Sequence, residues 1–246
     1  MSLNGKVAVV TGGGSGIGRA ISLQLAADGA AVAVWDLSTD GANETVSMIR
    51  QAGGRAIACV GDAAEASAIA ASAAHTRSEL GPITILVNNA GITGFKRFEE
   101  ISEAEMDRML AINVKGPFLC SQAVIPDMVA AGWGRIVNIS SSSAQTGAPM
   151  MAHYATSKGG VIAFTKTLAR EYADKGITVN NIPPGFVDTP MLRASPVDVE
   201  TQAAASPMKR AGQPQDIAAA CAYLVSDAAG YVTGHTLGVN GGRVMP

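Results

Sequence analysis

Short, continuously apolar runs separated by longer stretches of helical character recur along this chain, and that alternation leaves few architectures open to it. The runs fall at 7–10, 31–35, 56–60, 83–87 and 135–139, and two more of the same kind follow at 177–182 and 236–240. Between the first two, Ile17, Ile21 and Leu25 repeat at four-residue spacing, with Gly29 as a helix stop. Helical patterns also fill about 40–52, 64–79, 103–130, 152–174 and 214–226. Strands that alternate with crossover helices build a parallel sheet, and strands that are apolar without alternation are covered on both faces. The pattern therefore predicts an α/β fold with a doubly wound, seven-stranded parallel sheet. The segment 186–212 breaks the rhythm with three prolines and reads as a functional insert over the sheet.

With 246 residues, 48% of them hydrophobic, the chain can bury one substantial core, and no linker divides it, so 1–246 is expected to form a single domain. A net charge of −2 provides no field to hold a phosphate backbone or an anionic membrane, so neither nucleic acid nor membrane is expected as a partner. Cys59, Cys120 and Cys221 lie far apart with no CxxC pair, which points away from disulfides and zinc and toward a reducing, cytoplasmic setting. His75, His153 and His235 lack metal-ligand spacing, so no metal is expected. The N-terminal apolar run leads directly into glycines and reads as a strand, not a signal peptide. No window is apolar enough to span a bilayer.

Residues 11–18, TGGGSGIG, join the first strand to the first helix. Bare backbone N–H groups and a helix N-terminus meet there, the combination that holds a pyrophosphate. The spacing is neither GxGxxG nor a P-loop, because Ile17 and Arg19 stand where the last glycine of the former would fall and Arg19-Ala20 replaces the Lys-Ser/Thr of the latter. Gly14, Gly16 and Gly18 also satisfy the GxGxG of S-adenosylmethionine methyltransferases. Asp36 ends the second strand 18 residues beyond Gly18, close to the interval at which a carboxylate takes adenosine ribose hydroxyls. A carboxylate there repels a 2′-phosphate, and no basic residue stands within 12–18 or 37–39, so the cofactor is expected to be NAD rather than NADP. Tyr154 and Lys158 lie four apart on a helical stretch and share one face. An adjacent ammonium favours the ionised phenol, which predicts a lowered tyrosine pKa.

Several motifs in order make the chain resemble the short-chain dehydrogenases/reductases from end to end. TGGGSGIG matches that family's TGxxxGxG, NNAG at 88–91 its fourth-strand motif, YATSK at 154–158 its YxxxK and PG at 184–185 its segment after the sixth strand. From PGFVDTPM to VTGHTLGVNGG the nearest look is to bacterial 3-oxoacyl-carrier-protein reductases and to related alcohol and hydroxysteroid dehydrogenases. The resemblance implies a Rossmann domain and makes Tyr154 the general acid/base, with Lys158 lowering its pKa and holding the nicotinamide ribose. It gives Ser141 the substrate oxygen, with Ser140 and Ser142 as alternatives, and Asn113 a water at a helix kink. Gly12, Ser15, Gly16, Ile17 and Gly18 are implied around the pyrophosphate, Asp62 at the adenine, and Asn89 with Gly91 at the cofactor's centre. Pro184, Gly185, Val187 and Thr189 are implied at the nicotinamide end. Pro183 departs from the family's small residue and lacks an N–H.

Phe95, Met150, Met151, Met191 and Leu192 fall on loops that would surround a substrate, giving an apolar, adaptable wall. Lys96, Arg97 and Arg193 are either contacts for an acidic carrier or coenzyme A phosphate, or solvated surface. His153 reads as an exposed helix residue or one facing substrate. The expected function is NAD(H)-dependent interconversion of a hydrophobic secondary alcohol and its ketone, of 3-oxoacyl thioester or hydroxysteroid type. Resemblance and the apolar Leu237, Val239 and Val244 imply a homotetramer. A non-catalytic nucleotide-binding scaffold of the same fold and an S-adenosylmethionine methyltransferase are the alternatives.

Overall fold

The computed structural model describes residues 2–245, and in them the apolar runs become six strands. These are β1 (Val7–Thr11), β2 (Ala31–Asp36), β3 (Ala56–Val60), β4 (Ile85–Asn88), β5 (Gly134–Ile139) and β6 (Ile177–Ile182). All pair in parallel, in the order β3-β2-β1-β4-β5-β6. The intervening helices are α1 (Gly16–Ala27), α2 (Thr39–Gln51), α3 (Ala66–Leu80), α4 (Glu103–Leu110), α5 (Gly116–Ala131), α6 (Ser143–Thr146) and α7 (Ala152–Tyr172). Two short helices, α8 (Pro190–Arg193) and α9 (Val199–Ala205), lie within the insert, and α10 (Pro214–Val225) follows it.

The continuous apolarity of the strands has a direct cause in packing. Along β1, Ala8 and Val10 enter one core with Ile21, Leu25, Ile217 and Leu224 of α1 and α10. The alternate residues Val7 and Val9 enter a second core with Ile69, Val124, Met128 and Leu168 of α3, α5 and α7. A strand with a core on each face cannot alternate polar with apolar. Only β3, at the sheet edge, leaves a large side chain such as Val60 half exposed.

The seventh strand expected at 236–240 does not form a ladder. Asn181 pairs with Thr236 and Pro184 with Val239 only as isolated parallel bridges. Asn181 donates to the His235 carbonyl at 2.9 Å and its own carbonyl accepts from Leu237 at 2.8 Å. In that register the next donor on the β6 side is residue 183, and Pro183 has no N–H to give. The helical stretch expected at 103–130 is likewise divided, because residues Ala111–Lys115 between α4 and α5 wind as a π-helix. Such a segment widens the backbone and is common at functional sites.

The sheet order reverses at β1, whose neighbours are β2 and β4. Ligands of open parallel sheets bind in the crevice beyond the strand carboxyl ends at this switch point.

Candidate active site

A cleft of about 920 Å³ opens there. Its floor is the glycine turn, where Gly12 and Gly16 hold φ of +62° and +49°. A Cβ on Gly18 would lie 2.0 Å from the Gly12 carbonyl oxygen, and one on Gly12 would lie 3.0 Å from the Ala90 Cα, so both positions require bare backbone. Ser15 at the N-cap of α1 makes no side-chain capping bond, leaving the first-turn N–H groups of the helix toward the cleft. Asn89 ties the end of β4 to this turn by donating to the Thr11 and Gly12 carbonyls at 3.0 and 3.1 Å. Thr189, the N-cap of α8, brings its methyl group to 3.5 Å from where a Gly16 Cβ would stand, so the insert reaches over the turn.

At the end of β2 the Asp36 carboxylate accepts from the Gly14 N–H at 2.8 Å and from the Ser38 N–H at 2.8 Å, fixing it on the cleft wall. Sequence reasoning missed Arg19 beside it. Helix α1 carries Arg19 back to the Gly14 carbonyl, with Nε at 3.1 Å, and its Nη2 pairs with Glu44 at 2.5 Å. The position directly after the turn is the signal that could have found it. Asp62 lines the cleft and accepts from the Ala64 N–H at 2.8 Å. The N-cap of α3 is Glu65, so Asp62 is not that helix's cap.

Tyr154 and Lys158 rise from one face of α7, with the ammonium 5.9 Å from the phenol ring centre. Lys158 is buried and donates to the Ile139 carbonyl at 3.0 Å. Burial lowers its pKa to about 8. Tyr154 is pushed above its usual range, mainly by burial, while a hydrogen bond with Ser141 pulls it back. The lowered tyrosine pKa expected from the sequence is therefore not what this geometry produces, because the ammonium is held on a main-chain carbonyl and desolvation outweighs it. Ser141 is the serine of the run that meets Tyr154, and Ser143 donates to it through its N–H and hydroxyl at 3.2 and 2.8 Å. Ser140 and Ser142 are buried and also border the cleft, but the Tyr154 hydrogen bond goes to Ser141.

Asn113 sits in the π-helical segment and is fully buried. Its Oδ1 accepts from the Ile92 N–H at 2.9 Å, and its Nδ2 donates to the Ile92 carbonyl and to Ser157 at 3.0 Å each. A Cβ on Gly91 would come within 3.0 Å of Asn113 Oδ1 and 3.2 Å of Lys158 Nζ, so a side chain there would crowd both groups.

Pro184, Gly185, Val187 and Thr189 line the cleft beyond β6. Main-chain bonds from Asp188 to Gly212 and from Gly212 to Phe186 secure this segment without using the N–H or carbonyl of Val187. Phe95, Met151, Met191 and Leu192 form part of the wall, joined by Ile92 and Phe186. Met150 does not join them. Its backbone is left-handed at φ +63°, its carbonyl accepts from the Lys96 N–H at 2.7 Å, and its side chain is half exposed, away from the cleft. His153 is not an exposed helix residue: it is buried, with Nε2 2.5 Å from where a Gly94 Cβ would stand. Lys96, Arg97 and Arg193 pair with Glu105, Glu99 and Asp188 at 2.9, 4.0 and 2.5 Å.

The family described as Enoyl-(Acyl carrier protein) reductase matches residues 12–243. Nodulation protein G of Azospirillum brasilense is 43% identical over 239 residues, covering 96% of this chain and 97% of the relative. The 3-oxoacyl-[acyl-carrier-protein] reductase FabG of Staphylococcus epidermidis is 41% identical over 98% of this chain and 99% of its own. A crystal structure of levodione reductase superposes with a TM-score of 0.93 at 33% identity, over 98% of each chain. The fold and the cleft define an oxidoreductase of the kind that works with a nicotinamide dinucleotide. The chain belongs to the short-chain dehydrogenase/reductase family.

Proposed function

We propose that the protein interconverts a hydrophobic secondary alcohol and its ketone with NAD(H). The observation that carries the reading is the meeting of Ser141, Tyr154 and Lys158 in one cleft with a carboxylate fixed at the end of β2. The glycine turn suits a dinucleotide, since side chains at Gly12 and Gly18 would collide with main chain and the first turn of α1 leaves its N–H groups toward the cleft. When bound, the dinucleotide supplies the hydride acceptor or donor.

Every other step belongs to this chain. Asp36 receives the adenosine ribose hydroxyls and disfavours a 2′-phosphate. Arg19 does not reverse that preference, because its charge is spent on Glu44. Gly12, Ser15, Gly16, Ile17 and Gly18 hold the pyrophosphate, Asp62 the adenine, Asn89 and Gly91 the centre, and Pro184, Gly185, Val187 and Thr189 the nicotinamide end. The Ser141 hydroxyl positions the substrate oxygen, and Tyr154 gives it a proton in reduction and removes one in oxidation. Lys158 would hold the ribose hydroxyls and, as the cation neighbouring Tyr154, favour the phenolate. Asn113 keeps the Ile92 loop and α7 in register around that pair. Phe95, Met151, Met191 and Leu192 give the substrate side its apolar character. Leu237 and Val239 pack partly on their own chain's core, so the proposed homotetramer rests instead on exposed apolar side chains such as Phe118, Val129 and Tyr231.

The test is a steady-state panel with NAD(H) spanning acetoacetyl-coenzyme A, a hydroxysteroid, 1-phenylethanol and a sugar alcohol. The apolar substrates should give the highest kcat/KM. A maximum for the sugar alcohol refutes the reading, because a polyol leaves several hydroxyls unpaired in such a site. Tyr154→Phe should remove most turnover and leave dinucleotide affinity intact.

A further inference from the structure

Basic side chains around the substrate end of the cleft are mostly neutralised by their own chain. Lys96 is held by Glu105, Arg193 by Asp188 and Arg210 by Asp216, the last at 2.7 Å. Among the described residues Arg108 and Arg243, both exposed on the cleft wall, have no such carboxylate partner, and Arg243 stands apart by its neighbours. It lines the cleft and also a second cavity of about 390 Å³ between the insert and the C-terminal segment, and Phe186 and Gln202 stand in both walls beside it. Its guanidinium carbon lies 4.2 Å from the Phe186 ring centre, and its Nη1 donates to Gln202 Oε1 at 3.3 Å. Neither partner carries charge, and no carboxylate among the described residues pairs with it.

The position is built at both ends of the residue. Gly241 and Gly242 take φ of +65° and +80°, and Asn240 Oδ1 accepts from the Gly242 and Val244 N–H groups at 3.0 and 3.4 Å. This turn fixes the backbone, and the guanidinium carbon sits over the Phe186 ring. Stacking uses the face of a guanidinium and leaves its edge for in-plane hydrogen bonds, the geometry that matches a carboxylate with two oxygens. Phe186, Met191 and Leu192 supply apolar wall in the same cleft.

We propose that Arg243 is a specificity residue that receives a carboxylate carried by the substrate, which places the substrate among hydroxy acids and oxo acids whose carboxylate is separated from the reacting carbon by an apolar body. The inference rests on the reading of the cleft as a secondary-alcohol site and narrows it. Such a site gains from the anion without first breaking an internal ion pair, which an arginine already bound to aspartate would have to do.

Matched ketones test it, namely acetophenone and 4-acetylbenzoate, reduced by the enzyme with NADH. The unmodified protein should favour 4-acetylbenzoate in kcat/KM by about tenfold or more, the range of a charge-assisted hydrogen bond. Arg243→Gln should remove that preference mainly through KM and leave acetophenone within about twofold, while Arg243→Lys keeps part of it. Arg108→Gln, at a second arginine of the cleft wall, should leave the ratio of the two ketones as it is. Equal rates for both ketones in the unmodified protein overturn the inference. So does an equal loss on both in Arg243→Gln, or loss of the preference in Arg108→Gln. If neither ketone is reduced, calorimetry on the protein–NADH complex decides the inference apart from the secondary-alcohol reading, which the four-substrate panel tests. Binding of 4-acetylbenzoate that Arg243→Gln weakens about tenfold sustains it, and absence of saturable binding overturns it.

Discussion

Replacing Lys158 by methionine should make the cofactor-free protein more stable, although it removes a residue the proposed reaction needs. The ammonium is buried and its pKa falls from 10.5 to about 8. In the unfolded chain it returns to the ordinary value, so at pH 7 the charge opposes folding by about 3 kcal/mol. Methionine also gives up the hydrogen bond to the Ile139 carbonyl that the neutral amine would keep, a loss of about 1 kcal/mol. The net gain for Lys158→Met is therefore about 1–2 kcal/mol, a rise of roughly 2–8 °C in Tm for a chain of this length. The sign with pH is specific. Between about pH 8 and 10.5 the unfolded state binds more protons at this site than the folded one, so stability rises with pH and the penalty fades. The advantage of the methionine variant should shrink by about 2 kcal/mol between pH 7 and 9.5. Denaturant unfolding of both proteins across that range measures it, and taking the difference cancels the titrating groups distant from Lys158. A methionine variant less stable than the parent at pH 7, or a difference that does not change with pH, refutes the reasoning.

Asp36→Ala should raise the Kd for NAD by about tenfold or more through loss of charge-assisted bonds, and should bring NADP closer to NAD. Fluorescence titration of both dinucleotides measures this, and an unmodified protein that prefers NADP refutes it. Gly18→Ala puts a methyl group 2.0 Å from the Gly12 carbonyl oxygen. It should cost about 1–3 kcal/mol and abolish thermal stabilisation by dinucleotide, as a melting series would record. Light scattering should give four chains per particle, and a monomer at all concentrations excludes the proposed assembly.

The sheet and the glycine turn are legible in the sequence because local rules decide them. Apolar runs of five or six residues with helical spacing between them leave little choice, and TGGGSGIG marks where a strand must hand over to a helix. The same local reading fails wherever a distant partner decides. Residues 236–240 have strand composition, but their neighbour on β6 offers Pro183 where a donor is needed. Met150 has the chemistry of a pocket residue, yet the bond from Lys96 N–H to its carbonyl and a left-handed backbone turn it to solvent. Lys96 and Arg193 read as free cations until the fold sets Glu105 and Asp188 against them.

Several departures from ordinary local preference gather at one end of this sheet. Gly12 and Gly16 occupy left-handed backbone, the helix after β4 loosens to a π-helix at Asn113, and an ammonium is buried at Lys158. Each opposes stability where it stands, and each is compensated by specific neighbours. Asn113 closes on both polar groups of Ile92, Lys158 finds the Ile139 carbonyl, and Gly91 keeps side-chain bulk out from between them. A core evolved only for stability has no need of a desolvated lysine within 6 Å of a phenol. Their convergence beyond the carboxyl ends of β1 and β4 is therefore a physical argument for chemistry at that place, independent of any family resemblance.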